Sequence, residues 1–262
     1  MKYLGSKSRI VKDILPYLQG IIDNKGLQVY VEPFCGGANV IDKIICENRI
    51  AVDKNRYLIA LLDGIANQGF SLYDEVSKEL YDKARQSYYN QDEQFTDAEI
   101  GCIGFLASYN GRFFDGGYAK PGWETTKTGK RYRDYYRESK QNLLNQKDNL
   151  IGVKFYYSDY IDFVNSFTNG MPANKVLFYC DPPYQGTKQY LTSQNFDFEK
   201  FWDIMRRLSM SAYVIISEEH APADFRCIWD KNVSRSIKAT DKSKASEKMF
   251  VYDKGLLKNE WS

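Results

Sequence analysis

Apolar positions along the chain change their period several times, and each change marks an element. Ile10, Val11, Ile14, Leu15 and Leu18 recur on one face, which predicts a first helix starting near Ser6. Val29–Phe34 is a short apolar run and reads as a strand. It ends in Cys35-Gly36-Gly37, after which Val40–Ile45 predicts a second helix. Arg49–Val52 predicts another strand, ending at Asp53, and a helix around Asn55–Ala66 follows. A strand, a glycine turn, a helix, a strand and a helix open a doubly wound parallel sheet.

Residues 70–150 break that rhythm. They are polar, rich in tyrosine and mostly helical in pattern. Thr96-Asp97-Ala98-Glu99 has capping-box spacing before an apolar run. Asn110–Trp123 holds four glycines and a proline, so it predicts a loop or hairpin. The alternation then resumes. Strands are expected at Val153–Tyr157, Val176–Cys180 and Tyr213–Ser217, and helices at Asp159–Phe167 and Phe198–Leu208. Further β segments are expected near Cys227–Ile237 and Met249–Tyr252. The pattern predicts one α/β sheet with a helical lobe inserted at about 70–145, and no internal repeat.

Composition narrows the chemistry. The 262 residues carry 36 Lys+Arg against 34 Asp+Glu, with 43% hydrophobic residues, an ordinary globular balance. No apolar run approaches the roughly 18 residues of a membrane span. Charges interrupt residues 1–15 throughout, so no signal peptide is read there. Five widely spaced cysteines without a CxxC pair argue against a disulfide framework or zinc site and fit a reducing cytoplasm. A single histidine, His220, makes a Ser-His or Cys-His nucleophile improbable, and it is given no role. The near-neutral total hides basic stretches at 1–12, 120–140 and 231–248. The first includes Lys2. The second carries Lys130, Arg131 and Arg133, interleaved with Trp123, Tyr132, Tyr135 and Tyr136. Cations neutralise phosphates and aromatic faces stack on unpaired bases, so three such stretches favour a polyanionic partner.

The strongest motif is Asp181-Pro182-Pro183-Tyr184, directly after the apolar run Val176–Cys180. Ligands of open α/β sheets bind at the carboxyl ends of strands. Two prolines stiffen the loop and remove two N–H donors. A rigid, acceptor-rich loop beside an aromatic ring suits a planar base with an exocyclic amine. Asp181 and the Pro182 carbonyl can each accept one N–H, and Tyr184 can stack on the ring. The second motif is Phe34-Cys35-Gly36-Gly37, where glycine lets a ligand approach the backbone. Asp53, closing the next strand, suits a ribose diol. The turn lacks G-x-G-x-x-G, which fits a nucleoside without a pyrophosphate.

In order and spacing these residues resemble the Dam-type N6-adenine DNA methyltransferases. The matching segments are Tyr3–Lys7, Val31–Gly37, Ala51–Asn55 and Asp181–Tyr184, with weaker matches at Tyr109–Gly111, Ser158–Tyr160, Ile216–Ser217 and Ser246–Tyr252. The resemblance implies an α/β fold with a Rossmann-like, seven-stranded methyltransferase sheet and an inserted helical DNA-recognition lobe. Residues 1–69 and 146–262 would be the catalytic domain, and 70–145 the target-recognition domain. It implies S-adenosyl-L-methionine as cofactor, lined by Tyr3, Lys7, Phe34, Cys35, Gly36 and Gly37, with Asp53 on the ribose. Ser158, Asp159 and Tyr160 would hold the adenine end, and Asp181 would stand beside the cofactor. Asp181, Pro182, Pro183 and Tyr184 would be catalytic. Tyr109, Asn110 and Arg112 would enter the DNA, joined by Lys2, Lys130, Arg131 and Arg133. No metal is called for.

The expected reaction is methylation of N6 of a flipped adenine in double-stranded DNA. Methylation of another amine (cytosine N4, a protein glutamine, adenine in RNA) or a non-catalytic nucleic-acid-binding module on the same fold remain as rivals, with a nicotinamide dehydrogenase a distant third. The chain is expected in the cytoplasm of a bacterial or phage-infected cell, near the nucleoid. A cognate restriction endonuclease is a candidate partner, and a monomer or weak dimer the expected state. The Asn110–Trp123 loop has its own sequence, so no target site carries over.

Overall fold

The computed structural model describes residues 1–126, 129–168, 173–184, 196–234 and 244–253. Among them, seven strands form one sheet in the order β5-β2-β1-β6-β7-β9-β8. These are β1 (Val29–Glu32), β2 (Asn48–Asp53), β5 (Lys154–Tyr157), β6 (Val176–Cys180), β7 (Tyr213–Glu218), β8 (Phe225–Ser234) and β9 (Lys244–Tyr252). β1 runs parallel to β2 and β6, and β6 parallel to β7. β9 lies antiparallel to both β7 and β8. This is the seven-stranded sheet that the family resemblance implies. Among the described residues, no helix is long and apolar enough to cross a membrane.

The chain divides into two compact units: residues 1–16, 35–44 and 55–157, and residues 17–34, 45–54 and 158–262. The second unit holds most of the sheet. β1 and β6 are buried along their whole length, as the apolar runs Val29–Val31 and Val176–Cys180 require, with Glu32 buried at the end of β1. Helix α7 (Phe198–Ser209) covers them with Phe201, Trp202, Ile204, Met205 and Leu208, spaced on one face. Asp197 starts this helix, its side chain accepting from the Lys200 N–H at 3.0 Å. Helix α6 (Tyr160–Thr168) adds Tyr160 and Val164 to the same core.

The first unit is helical, with one hairpin. Asn55 caps α2 (Arg56–Asn67), accepting from the Tyr57 and Leu58 N–H groups. Ser77 caps α3 (Lys78–Asn90). The predicted capping box is present: Thr96 and Glu99 reciprocally cap α4 (Asp97–Gly101), which runs on into a π-helical turn, Cys102–Leu106. Gly101 is where α4 crosses α2; a Cβ there would stand 2.1 Å from the Tyr57 carbonyl oxygen. Tyr57, Tyr88, Phe105, Phe113 and Phe114 form one ring cluster, with centroid distances down to 4.7 Å. Much of this unit's aromatic content is therefore core rather than ligand surface.

One expectation is corrected. Val40–Ile45 forms no helix, only a single 3-10 turn at Ile41–Lys43. β2 opens at Asn48, so the chain must turn and travel back within about ten residues. Extended backbone covers about 3.3 Å per residue against about 1.5 Å in a helix, and Ile44 is already extended (φ −78°, ψ 133°). The loop expected at Asn110–Trp123 is present: it holds two 3-10 turns, Tyr109–Gly111 and Phe113–Gly116, and is closed by an antiparallel bridge between Ser108 and Tyr118. The hairpin lies beyond it, as β3 (Gly122–Thr126) against β4 (Gly129–Arg133), followed by α5 (Tyr135–Leu150). Positions 235–237 of the predicted strand Cys227–Ile237, and basic residues Lys127, Arg235, Lys238 and Lys242, lie outside the described residues.

Gly101→Ala should overpack the α2–α4 crossing and cost about 1–3 kcal/mol. Urea denaturation monitored by circular dichroism would read this, and an unchanged midpoint would refute the close-approach account.

Candidate active site

The parallel strands of the second unit end in acids. Glu32 closes β1, Asp53 closes β2, Asp181 follows the last residue of β6, and Glu218 closes β7. Because these strands run parallel, all four carboxylates stand at the same end of the sheet. Glu247 of β9 joins them, one position from the Lys248 that pairs with Glu218. The sequence marks Asp53 and Asp181 as site residues. Glu32 and Glu218 had a signal, since each is a charge closing an apolar strand. Glu247 had only its place in the Ser246–Tyr252 match, because an antiparallel return strand brings it there.

Phenols stand among these acids. The Tyr30 hydroxyl donates to Glu32 Oε1 at 2.9 Å. The Tyr184 hydroxyl donates to Glu247 Oε2 at 2.5 Å and lies 3.1 Å from Ser217 Oγ. Burial is the main cause that pushes the pKa of Tyr30, Tyr179 and Tyr184 up, with neighbouring carboxylates adding to it: Glu32 for Tyr30, Asp181 for Tyr179 and Tyr184. All three therefore stay protonated and can donate. The Cys180 thiol is likewise raised by burial and then by Asp181, so it remains a thiol. Tyr184 is held by its hydroxyl, with the phenol 8% exposed overall.

Aromatic rings flank the carboxylates. Phe34 and Tyr160 have centroids 4.9 Å apart, and Phe196 and Phe201 lie within 6.0 Å of Phe34. The Ser158 N–H donates to the Asp53 carbonyl at 3.1 Å, which ties the end of β2 to the start of α6. Asp159 accepts from the Ile161 N–H through Oδ1, so one of its oxygens serves the helix start. The second unit holds Phe34, Asp53, Ser158, Asp159 and Tyr160 and, just after β6, Asp181, Pro182, Pro183 and Tyr184.

The remaining expected residues belong to the first unit. Gly36 has φ +47°, a value that favours glycine, and a Cβ there would meet the Tyr3 ring at 2.8 Å. At Gly37 the contacts would be Tyr3 Cβ and Asn39 Nδ2, both at 2.7 Å. Tyr3 approaches both of these glycines. Cys35 and Lys7 are buried.

The hairpin has two unlike faces. Trp123, Thr125, Lys130 and Tyr132 share the open one, with Trp123 73% exposed and its ring 5.8 Å from that of Tyr132. On the other face Arg133 bridges Glu124 and Glu138 at 3.3 Å and lies 4.0 Å over the Tyr135 ring. Arg131 is exposed, 3.8 Å from Glu124. Lys2 pairs with Glu138 at 2.6 Å. Tyr135 and Tyr136, read as possible stacking faces, are buried on α5. Tyr109, Asn110 and Arg112 are exposed, and Asn110 has φ +56°.

A family model for D12 class N6 adenine-specific DNA methyltransferases matches residues 3–226. The type II methyltransferase M.MjaIII of Methanocaldococcus jannaschii is 25% identical over 222 residues, covering 76% of this chain and 74% of that protein. Two solved structures of the rRNA methyltransferase aviRa from Streptomyces viridochromogenes align with TM-scores of 0.42 and 0.41 at 12% and 11% identity. They cover 94% and 93% of this chain and 84% of theirs.

Tyr184→Phe keeps the ring and removes the donor to Glu247. It should lower stability by about 1.5–3 kcal/mol, the range for a hydrogen bond to a charged group. Chemical denaturation would measure it, and a loss below a few tenths would contradict the pairing.

Proposed function

The chain belongs to the D12 class N6 adenine-specific DNA methyltransferases, and on that premise we propose that it methylates an adenine swung out of double-stranded DNA, using S-adenosyl-L-methionine. One observation carries the reading: Asp181-Pro182-Pro183-Tyr184 follows the fully buried β6, at the end of the sheet where β1, β2 and β7 also finish in acids.

The donor set fits the cofactor. Glu32, Asp53 and Asp181 close three adjacent strands. Carboxylates suit a nucleoside bearing a sulfonium, an ammonium and a ribose diol. Bound there, the cofactor supplies an electrophilic methyl group. Asp53 would accept from the ribose hydroxyls, while Phe34, Ser158, Asp159 and Tyr160 would hold the adenine end. The family resemblance adds Tyr3, Lys7, Cys35, Gly36 and Gly37.

The substrate amine is a poor nucleophile because its lone pair is delocalised into the purine ring. Extruding the base costs a few kcal/mol, and stacking on Tyr184 returns about 1–3 kcal/mol. The bond from its hydroxyl to Glu247 keeps that ring in place. Asp181 and the Pro182 carbonyl accept the two N–H groups of the amine. That favours a more tetrahedral nitrogen and aims its lone pair outward. As positive charge builds on nitrogen, the Asp181 carboxylate stabilises it. Pro182 and Pro183 carry no N–H to compete for these acceptors and hold the loop stiff, so the geometry exists before substrate arrives.

For DNA, the open hairpin face supports contact through Lys130, with Trp123 and Tyr132 as exposed rings. Arg131, Tyr109, Asn110 and Arg112 join it. Arg133 and Lys2, already paired with Glu124 and Glu138, would shape this surface as much as touch phosphate. The relative named a type II methyltransferase favours a cognate restriction endonuclease as partner. We expect a monomer or weak dimer acting in the cytoplasm at the nucleoid.

Asp181→Ala should lower the methylation rate by at least a thousandfold while DNA affinity, read by fluorescence anisotropy, changes less than about threefold. Turnover retained in that variant would overturn the mechanism. Lys130→Ala should weaken DNA binding and reduce the slope of log K against log salt by about 0.9. An unaltered slope would remove Lys130 from the interface.

A further inference from the structure

The turn Cys35–Ala38 has an unusual backbone. Gly36 takes φ +47°, and Ala38, fully buried, takes φ +54°. A left-handed alanine is uncommon and persists only where its surroundings impose it. Within the turn the Ala38 N–H donates to the Cys35 carbonyl at 2.9 Å. From outside, Tyr3 packs on Gly36 and Gly37, and a side chain of α5 donates to the turn's carbonyls. Gln146 of α5 is buried, and its Nε2 donates to the Gly37 carbonyl at 3.1 Å and to the Ala38 carbonyl at 2.6 Å. Its Oε1 accepts from the Met1 amino group at 2.5 Å, which fixes the amide's orientation: the donor end faces two carbonyls and the acceptor end faces an amine. That amino group also donates to Asn39 Oδ1 at 3.1 Å, just beyond the turn.

The other end of α5 serves the hairpin. Tyr135 stacks under Arg133, and Glu138 holds both Arg133 and Lys2. One helix thus carries the hairpin's brace near its start and the turn's clamp three turns later. Lys2 lies between the two. Its carbonyl presses on Gly111 of the Tyr109–Gly111 loop, where a Cβ would stand 2.5 Å from that oxygen. The next residue, Tyr3, covers Gly36 and Gly37.

We propose that Gln146 is a positioning residue for the cofactor turn, and that through α5 it makes cofactor affinity depend on the segment that meets DNA. The inference rests on the reading that residues 35–37 contact the cofactor. Gln146 touches no substrate. It acts by fixing where the Gly37 and Ala38 carbonyls point, and so which conformation of the turn is present before the cofactor binds. Coupling between two ligands is reciprocal, so DNA that shifts α5 alters cofactor affinity by the same factor that the cofactor alters DNA affinity.

The test uses the full-length protein and two variants. Gln146→Leu removes both donors, and Gln146→Glu keeps a similar shape while placing an acceptor against two carbonyls. Titration calorimetry with S-adenosyl-L-methionine should give a Kd raised about tenfold in each, the effect of losing two hydrogen bonds. KM for the cofactor should rise in parallel with kcat within about twofold. DNA affinity without cofactor should be unchanged, and the enhancement of cofactor binding by DNA should shrink. Hydrogen exchange separates the inference from its premise. In the wild-type protein the cofactor should protect amides 35–40. Protection there with variants whose melting temperature falls but whose Kd and KM do not change would overturn the positioning role. Absence of that protection in the wild type would overturn the reading of the turn, and the inference with it.

Discussion

A strand buried from end to end admits a charge only at its last position or just beyond it. β1 and β6 are such strands, and their neighbours in the sheet are parallel to them. A carboxylate without donors in their interior would face an uncompensated desolvation cost of several kcal/mol. Polar chemistry is therefore displaced to the first position past the apolar run, and parallel order brings all those positions to one end. Glu32, Asp53, Asp181 and Glu218 are the result. Keeping such a group of acids together then requires donors. Buried phenols supply them at Glu32 and Glu247, because burial and the acids themselves keep Tyr30 and Tyr184 protonated. An acidic sheet end with ordered acceptors suits a cationic cofactor and an amine substrate.

The first unit solves a different problem. Its hairpin is exposed on one face and braced by charge pairs on the other. Such pairs at the surface are individually worth little, but Arg133, Glu124, Glu138, Lys2 and the Tyr135 ring form a connected set. That set leaves Lys130, Trp123 and Tyr132 outward. Basic residues close in sequence thus divide into those that shape a surface and those that present charge on it.

What could be read from sequence followed from the same physics. Apolar runs ending in Asp53 or in Asp181-Pro182-Pro183-Tyr184 were legible because burial demands the run and the charge can come only after it. The Thr96–Glu99 capping box was legible because both partners lie within one turn. Val40–Ile45 misled because its apolar spacing suits a helix, whereas the distance back to β2 favours extended chain. The hairpin at 122–133 was obscured by charge, since its strands are exposed and show no apolar alternation. Gln146 was invisible, because it acquires its partner from more than a hundred residues away, and Glu247 was legible only through the Ser246–Tyr252 match.

The central claim is that this sheet end methylates adenine in DNA. The direct test is to express the chain in a host that lacks adenine methylation, digest the host DNA to nucleosides and analyse them by mass spectrometry. The account predicts N6-methyladenine, confined to one short sequence motif when the same DNA is read by single-molecule sequencing. Absence of N6-methyladenine from DNA of cells that contain the folded protein, or N4-methylcytosine in its place, would contradict it.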